Sequence, residues 1–257
     1  MPSPKEEARL RDLPFDVETP SLEDEVFKKS NNEGYVEGVL SSRISQRRTL
    51  GLKYALESEL WQPLLDGLNS GDEILDVGSG GAFHLEALND EDRGRLTLLD
   101  ASASMLIEAK KTYPSVGVIK RNWFKTKLPN ACVKRISGFN ADTFIRSESG
   151  MESFLSEAIR VLAPKGRMIL VATHIPPIEW TGMKGVGSHL PPEQKDFFTQ
   201  HYHKQIVSNF QKFERDVAER HGCDVSLDAD FSQRFRLKYK ARKLKMKSPF
   251  LKLTIEK

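Results

Sequence analysis

Asp76, Gly78, Ser79, Gly80 and Asp100 are the residues whose types and spacing can do chemistry in this chain. Ile74, Leu75 and Val77 form a short apolar run, the pattern of a parallel strand covered on both faces, and Gly78, Ser79, Gly80 and Gly81 break it. Glycines there allow positive φ and let a ligand lie against the main chain. Ala82 to Leu88 then has helical spacing, which predicts a loop at a helix N-terminus with unpaired N–H groups facing outward, a site for something polar or anionic. About twenty residues on, Asp100 ends a second apolar strand, Leu96 to Leu99, where a carboxylate can accept both hydroxyls of a ribose. Together the two features imply a nucleoside ligand.

The details separate two kinds of nucleoside cofactor. A dinucleotide fingerprint needs a third glycine or alanine three places past Gly80, for close helix–strand packing, and Phe83 stands there. This argues against NAD. Asp76, two residues before Gly78, suits a cationic ligand better than a pyrophosphate, or else caps the turn.

Asp76-Val77-Gly78-Ser79-Gly80 resembles the first motif of the class I S-adenosylmethionine-dependent methyltransferases. Asp100-Ala101-Ser102-Ala103-Ser104-Met105-Leu106 is similar to the acidic loop after their second strand, and Arg160-Val161-Leu162-Ala163-Pro164-Lys165-Gly166-Arg167 to the segment that opens their fifth, with Lys165 in place of one glycine. The three motifs stand in order over roughly residues 70 to 175. The resemblance implies a doubly wound α/β fold with a mostly parallel seven-stranded sheet, an N-terminal helical cap and a C-terminal antiparallel hairpin. It implies S-adenosylmethionine as cofactor and methyl transfer to an N, O or C nucleophile. In that reading Asp76, Gly78, Ser79 and Gly80 border the methionine portion, Asp100 and Ala101 the ribose, and Met105, Asn122 and Trp123 the adenine.

The elements that position these residues follow from the chain in order. Residues 1–34 are rich in Pro, Ser and acids and read as a flexible acidic arm or lid. Residues 35–257 read as the methyltransferase domain. Within it, 35–70 has apolar residues at helical spacing, two helices of a cap. A helix from Ser104 to Tyr113 leads to a third strand at Val116 to Lys120. After it, Asn122 can accept from the adenine amino group through its carbonyl, and Trp123 or Phe124 can supply an apolar face, although Trp123 suits the core equally. A fourth strand over Val133 to Asn140 places Asn140 at its C-terminal end, facing the sulfonium and its methyl. The helix Met151 to Leu162 and a fifth strand, Arg167 to Thr173, bring His174 to the same edge, where it can act as a general base, unless positioning alone suffices. Residues 175–192 leave that edge as a Pro- and Gly-rich loop, so Trp180 and His189, with Tyr35 from the cap, are the expected substrate contacts.

Residues 231–257 read as the terminal strands. Phe235, Leu237, Tyr239 and Ala241 alternate with Arg234, Arg236, Lys238, Lys240 and Arg242, a strand with one basic face. Such a face guards a sheet edge against pairing or binds RNA or another anionic partner. The acceptor class expected is a small molecule. An RNA- or protein-directed methyltransferase and a non-catalytic scaffold with the same fold are the alternatives.

Composition bounds the rest. At 257 residues and 39% apolar the chain can build one substantial core, and a net charge of +3 is too slight to name a partner. Cys132 and Cys223 are the only cysteines, too few for a disulfide framework or a cysteine zinc site, and no metal is expected. No stretch reaches the eighteen or so apolar residues of a membrane span, and the expected location is the cytoplasm.

Overall fold

The apolar runs become seven strands in the computed structural model, which describes residues 57–139, 148–173 and 250–257 with positions 204, 207–208, 210–212 and 220–228. They are β1 (Ile74–Val77), β2 (Leu96–Asp100), β3 (Gly117–Lys120), β4 (Val133–Phe139), β5 (Leu162–Thr173), β6 (Asp224–Asp228) and β7 (Phe250–Glu256). Their order across the sheet is β3-β2-β1-β4-β5-β7-β6. Strands β1 to β5 run parallel, and β7 is antiparallel to both β5 and β6. The doubly wound, mostly parallel sheet with antiparallel C-terminal strands is the architecture the motifs imply.

Chain order reverses beside β1: β2 and β3 lie on one side of it, β4 and β5 on the other. In such sheets a crevice opens at the C-terminal ends of the strands where the order switches. Val77, Asp100, Lys120 and Phe139 end β1, β2, β3 and β4 on that edge.

Side chains alternate between the two faces of each strand, so each face has its own core. Leu75, Val77, Leu99, Ile119 and Ile136 pack under the helix Glu148–Val161, whose Met151, Phe154, Leu155 and Ala158 recur at helical spacing and are buried. Ile74, Leu96, Leu98, Phe139 and Ile169 face the other way. They meet Leu60, Trp61 and Leu64 of a helical segment, Glu57–Trp61 running into Gln62–Leu65, and Leu106 and Ala109 of the helix Ala103–Thr112. The expected cap is described only over this segment.

The structure changes three local expectations. Ala82 to Leu88 does not form an α-helix: Ala82 takes a left-handed φ of 53°, and Phe83–Ala87 is a single stretch of 3-10 helix. Leu88 is extended, and Asn89 already caps the next helix, Asp90–Arg93, by accepting from the Asp92 N–H at 2.8 Å, so the segment has no room to lengthen. The fifth strand begins earlier than Arg167. Leu162 pairs with Val133, and the register shifts before Arg135 meets Arg167. The strand paired with β7 is Asp224–Asp228, upstream of the basic alternation, while residues 231–249 lie outside the described residues. Among the described residues no helix is long and apolar enough to cross a membrane.

Candidate functional site

The glycine turn leaves β1 at the switch point, and hydrogen bonds to β2 fix its shape. Gly78 and Gly80 hold φ of 63° and 51°, a region that favours residues without a Cβ. The Gly78 N–H donates to the Leu99 carbonyl at 2.8 Å. Asp100, half-buried at the end of β2, accepts from the Gly80 N–H through Oδ2 and from the Ser102 N–H through Oδ1, both at 2.8 Å. Ser102 in turn caps the helix Ala103–Thr112, its hydroxyl accepting from the Met105 N–H at 3.4 Å. One carboxylate therefore ties the glycine turn to the start of the next helix. A carboxylate offers about four acceptor sites. A carboxylate at the end of the second strand is the group that takes ribose hydroxyls in such sheets.

Two of the N–H groups expected to face outward at the turn are committed within it. Gly80 donates to Asp100 and Ala82 to the Ser79 carbonyl at 2.9 Å, and the five-residue 3-10 stretch has no helix N-terminus to offer an anion. The site is thus built around an acceptor rather than around donors, which suits hydroxyls and cationic groups.

Ser79 carries a second sign of a missing partner. Its hydroxyl is buried and, among the described residues, has no hydrogen-bond partner. Buried polar atoms are rarely left so. A polar ligand held in the turn is one way to satisfy it.

Around the far end of the crevice, Ala101 is half-buried and Met105 buried. Asn122 is half-buried at the end of β3, with its Oδ1 accepting from the Phe124 N–H at 2.9 Å. The two aromatic residues that follow part company. Trp123 is 1% exposed and packs against Phe154 of the helix Glu148–Val161, ring centroids 5.5 Å apart, so its ring belongs to the core. Phe124 is 38% exposed.

Asp76 lies under the turn, 0% exposed. Its Oδ1 accepts from the Ser137 hydroxyl at 2.7 Å, across the register that sets Asp76 opposite Ser137 on β4, and its Oδ2 lies 2.9 Å from His84 Nε2. The His84 ring stacks on Trp61, centroids 5.6 Å apart and planes within 5°, and the Trp61 Nε1–H donates to the His84 carbonyl at 3.2 Å. Sequence reasoning missed His84 and Ser137. A histidine at an apolar position after the turn and a serine at an inward position of β4 were the only signals, and both become informative once the register is known.

Asn140 and His174 follow directly on β4 and β5 but lie outside the described residues, as do Tyr35, Trp180 and His189 and the basic Lys238, Lys240 and Arg242. Cys132 and Cys223 are both free thiols, and burial raises both above the usual thiol range.

Known proteins share these features. A family profile described as a methyltransferase domain matches residues 74–166. The ubiquinone/menaquinone biosynthesis C-methyltransferase UbiE of Roseobacter denitrificans is 29% identical over 155 residues, covering 57% of this chain and 62% of UbiE. The chain therefore spans less than two thirds of that curated relative's length. Among solved structures, the plantazolicin methyltransferase BpumL, in complex with a triazolic desmethylPZN analog and SAH, superposes with a TM-score of 0.55 at 14% identity over 90% of this chain and 96% of that one. Phosphoethanolamine N-methyltransferase 2 of Haemonchus contortus, in complex with S-adenosyl-L-methionine, gives a TM-score of 0.48 at 12% identity, covering 81% of this chain and 56% of that one. At such identities the structural likeness speaks for the fold, and BpumL carries it.

Proposed function

We propose that this chain, which belongs to the class I S-adenosylmethionine-dependent methyltransferase superfamily, binds S-adenosylmethionine over the glycine turn and passes its methyl to an N, O or C nucleophile of a small molecule. The observation that supports this most is the Asp100 carboxylate, set by the Gly80 and Ser102 N–H groups at the switch point, the edge where such sheets hold a ribose. The buried, unpartnered Ser79 hydroxyl fits a polar group held in the turn. BpumL, named for a complex with SAH, favours the same cofactor, and UbiE, named for quinone biosynthesis, favours the same acceptor class.

When bound, the cofactor supplies an electrophilic methyl on a sulfonium whose leaving group is a neutral thioether. The chain's residues would bind and orient it. Asp100 takes the ribose hydroxyls, and Met105, Asn122 and Phe124 border the adenine, Phe124 in the role expected of Trp123. Asp76 supports the turn from beneath rather than by direct contact, since it is fully buried and held by Ser137 and His84. Asn140 and His174, continuing β4 and β5 at this edge, are assigned to the methyl and to proton removal from the acceptor, and Tyr35, Trp180 and His189 to the acceptor itself. Most of the rate would come from holding acceptor and methyl in line and excluding water.

Calorimetry tests this. The wild-type chain is expected to bind S-adenosylmethionine, and Asp100→Ala to weaken binding at least tenfold, as loss of hydrogen bonds to a charged group worth about 1.5–3 kcal/mol requires. Asp100→Asn, which keeps one oxygen, should fall between. No binding by the wild type at millimolar cofactor, or equal affinity in Asp100→Ala, contradicts the proposal.

A further inference from the structure

Asp76 is a buried carboxylate with two side-chain donors, Ser137 and His84, and the second comes from outside the sheet. His84 is itself buried. Its ring lies flat on Trp61 and within 5.5–5.9 Å of Phe139 and Phe83, so no other orientation within this aromatic box keeps both the stack and the bond to Asp76. Facing an ionised carboxylate, Nε2 carries the proton, because a bare ring nitrogen there would put two acceptors in contact.

Removing that proton donor has a local consequence. A buried carboxylate short of donors seeks others. Those nearest in the chain are the N–H groups of the turn just past it, and they are already committed: Gly78 to Leu99, Gly80 to Asp100, Ala82 to Ser79. An Asp76 released by His84 would compete for them and disturb the left-handed Gly78 and Gly80, together with the Gly80 bond that sets the Asp100 carboxylate. Ser137 alone, on a neighbouring strand, cannot take over the second oxygen.

We propose that His84 is a positioning residue for the cofactor site: by holding Asp76 from below, it keeps the glycine turn and Asp100 in the conformation that accepts the nucleoside. The stack on Trp61 and the Trp61 indole bond to the His84 carbonyl extend the same support to the segment Glu57–Trp61, so that segment is coupled to cofactor affinity through one imidazole. This inference rests on the cofactor reading above.

The test compares the wild type with His84→Phe, which keeps an aromatic ring in the box and loses the donor, and with His84→Gln, which restores a donor near the Nε2 position without the ring. Cofactor affinity by calorimetry is expected to fall about tenfold in His84→Phe and to return to within about threefold in His84→Gln. Unchanged affinity in His84→Phe, or equal loss in both folded variants, overturns the proposal. Nitrogen NMR of the wild type tests it without a variant: the Nε2 of His84 should be protonated and its signal should move when S-adenosylmethionine is added. A proton on Nδ1 alone, or a signal indifferent to the cofactor, overturns it as well. A wild type that binds no cofactor defeats the functional reading and this inference together, whereas wild-type binding with unchanged His84→Phe affinity defeats this inference alone.

Discussion

Lys165 and Glu157 show how single residues set terms the rest of the chain must meet. Lys165 holds a φ of 61° within β5, where its register with β4 shifts between Leu162 and Arg167, at the place where the resemblance expects glycine. A side chain in that region costs roughly 1–2 kcal/mol. Replacing it with glycine removes the strain and returns part of the gain as unfolded-state entropy, so Lys165→Gly should raise the unfolding free energy by up to about 1 kcal/mol and shift the urea midpoint upward. A lowered midpoint would contradict the assignment. Glu157 is bound by Arg160 at 2.6 and 2.7 Å and by the Thr126 hydroxyl. Burial pushes its carboxyl up, but the Arg160 and Thr126 bonds outweigh this and hold it below the ordinary glutamate range. A depressed carboxylate contributes stability that is present above the unfolded value and lost as pH falls through the folded one. Thermal unfolding should therefore drop as pH falls below about 4.5, and Glu157→Gln should flatten that part of the profile. An unaltered profile in the variant would place the acid sensitivity elsewhere.

At the scale of elements, the 3-10 turn Trp123–Lys125 decides which aromatic ring serves the core and which stays exposed. Asn122 caps it by accepting from Phe124, which sends Trp123 against Phe154 and leaves Phe124 open. Strands and long helices carry a period in their sequence, and β1, β2 and the helix Ala103–Thr112 were readable from it within a residue or so. A three-residue turn has no period, so Trp123 and Phe124 could not be told apart from the sequence. The two substitutions should separate cleanly. Trp123→Ala should cost about 3–5 kcal/mol in unfolding free energy. Phe124→Ala should leave stability nearly unchanged and weaken cofactor binding by about 1 kcal/mol, the worth of one aromatic contact. Loss of stability in Phe124→Ala with intact binding would reverse the assignment.

The whole molecule places the switch of strand order beside β1, so the two motifs proposed to hold the nucleoside, the glycine turn and Asp100, converge without help from distant segments. That much was legible because both motifs end adjacent parallel strands. The end of the sheet was less so. The long basic alternation after Phe231 is the louder period-two signal, yet the strand paired with β7 is the short Asp224–Asp228. There only Val225 is buried, and charged or polar residues mark a sheet edge, too brief a pattern to outweigh its neighbour. The buried support of the turn was not legible either: Asp76, Ser137 and His84 meet through strand register and an aromatic stack, neither of which a linear reading reveals. The most direct measurement of the central claim is a crystal structure of the chain with S-adenosylhomocysteine. The account predicts both ribose hydroxyls at about 2.6–2.8 Å from the Asp100 carboxylate, with the Gly80 bond kept. An adenosyl group bound elsewhere, or hydroxyls that bypass Asp100, would contradict it.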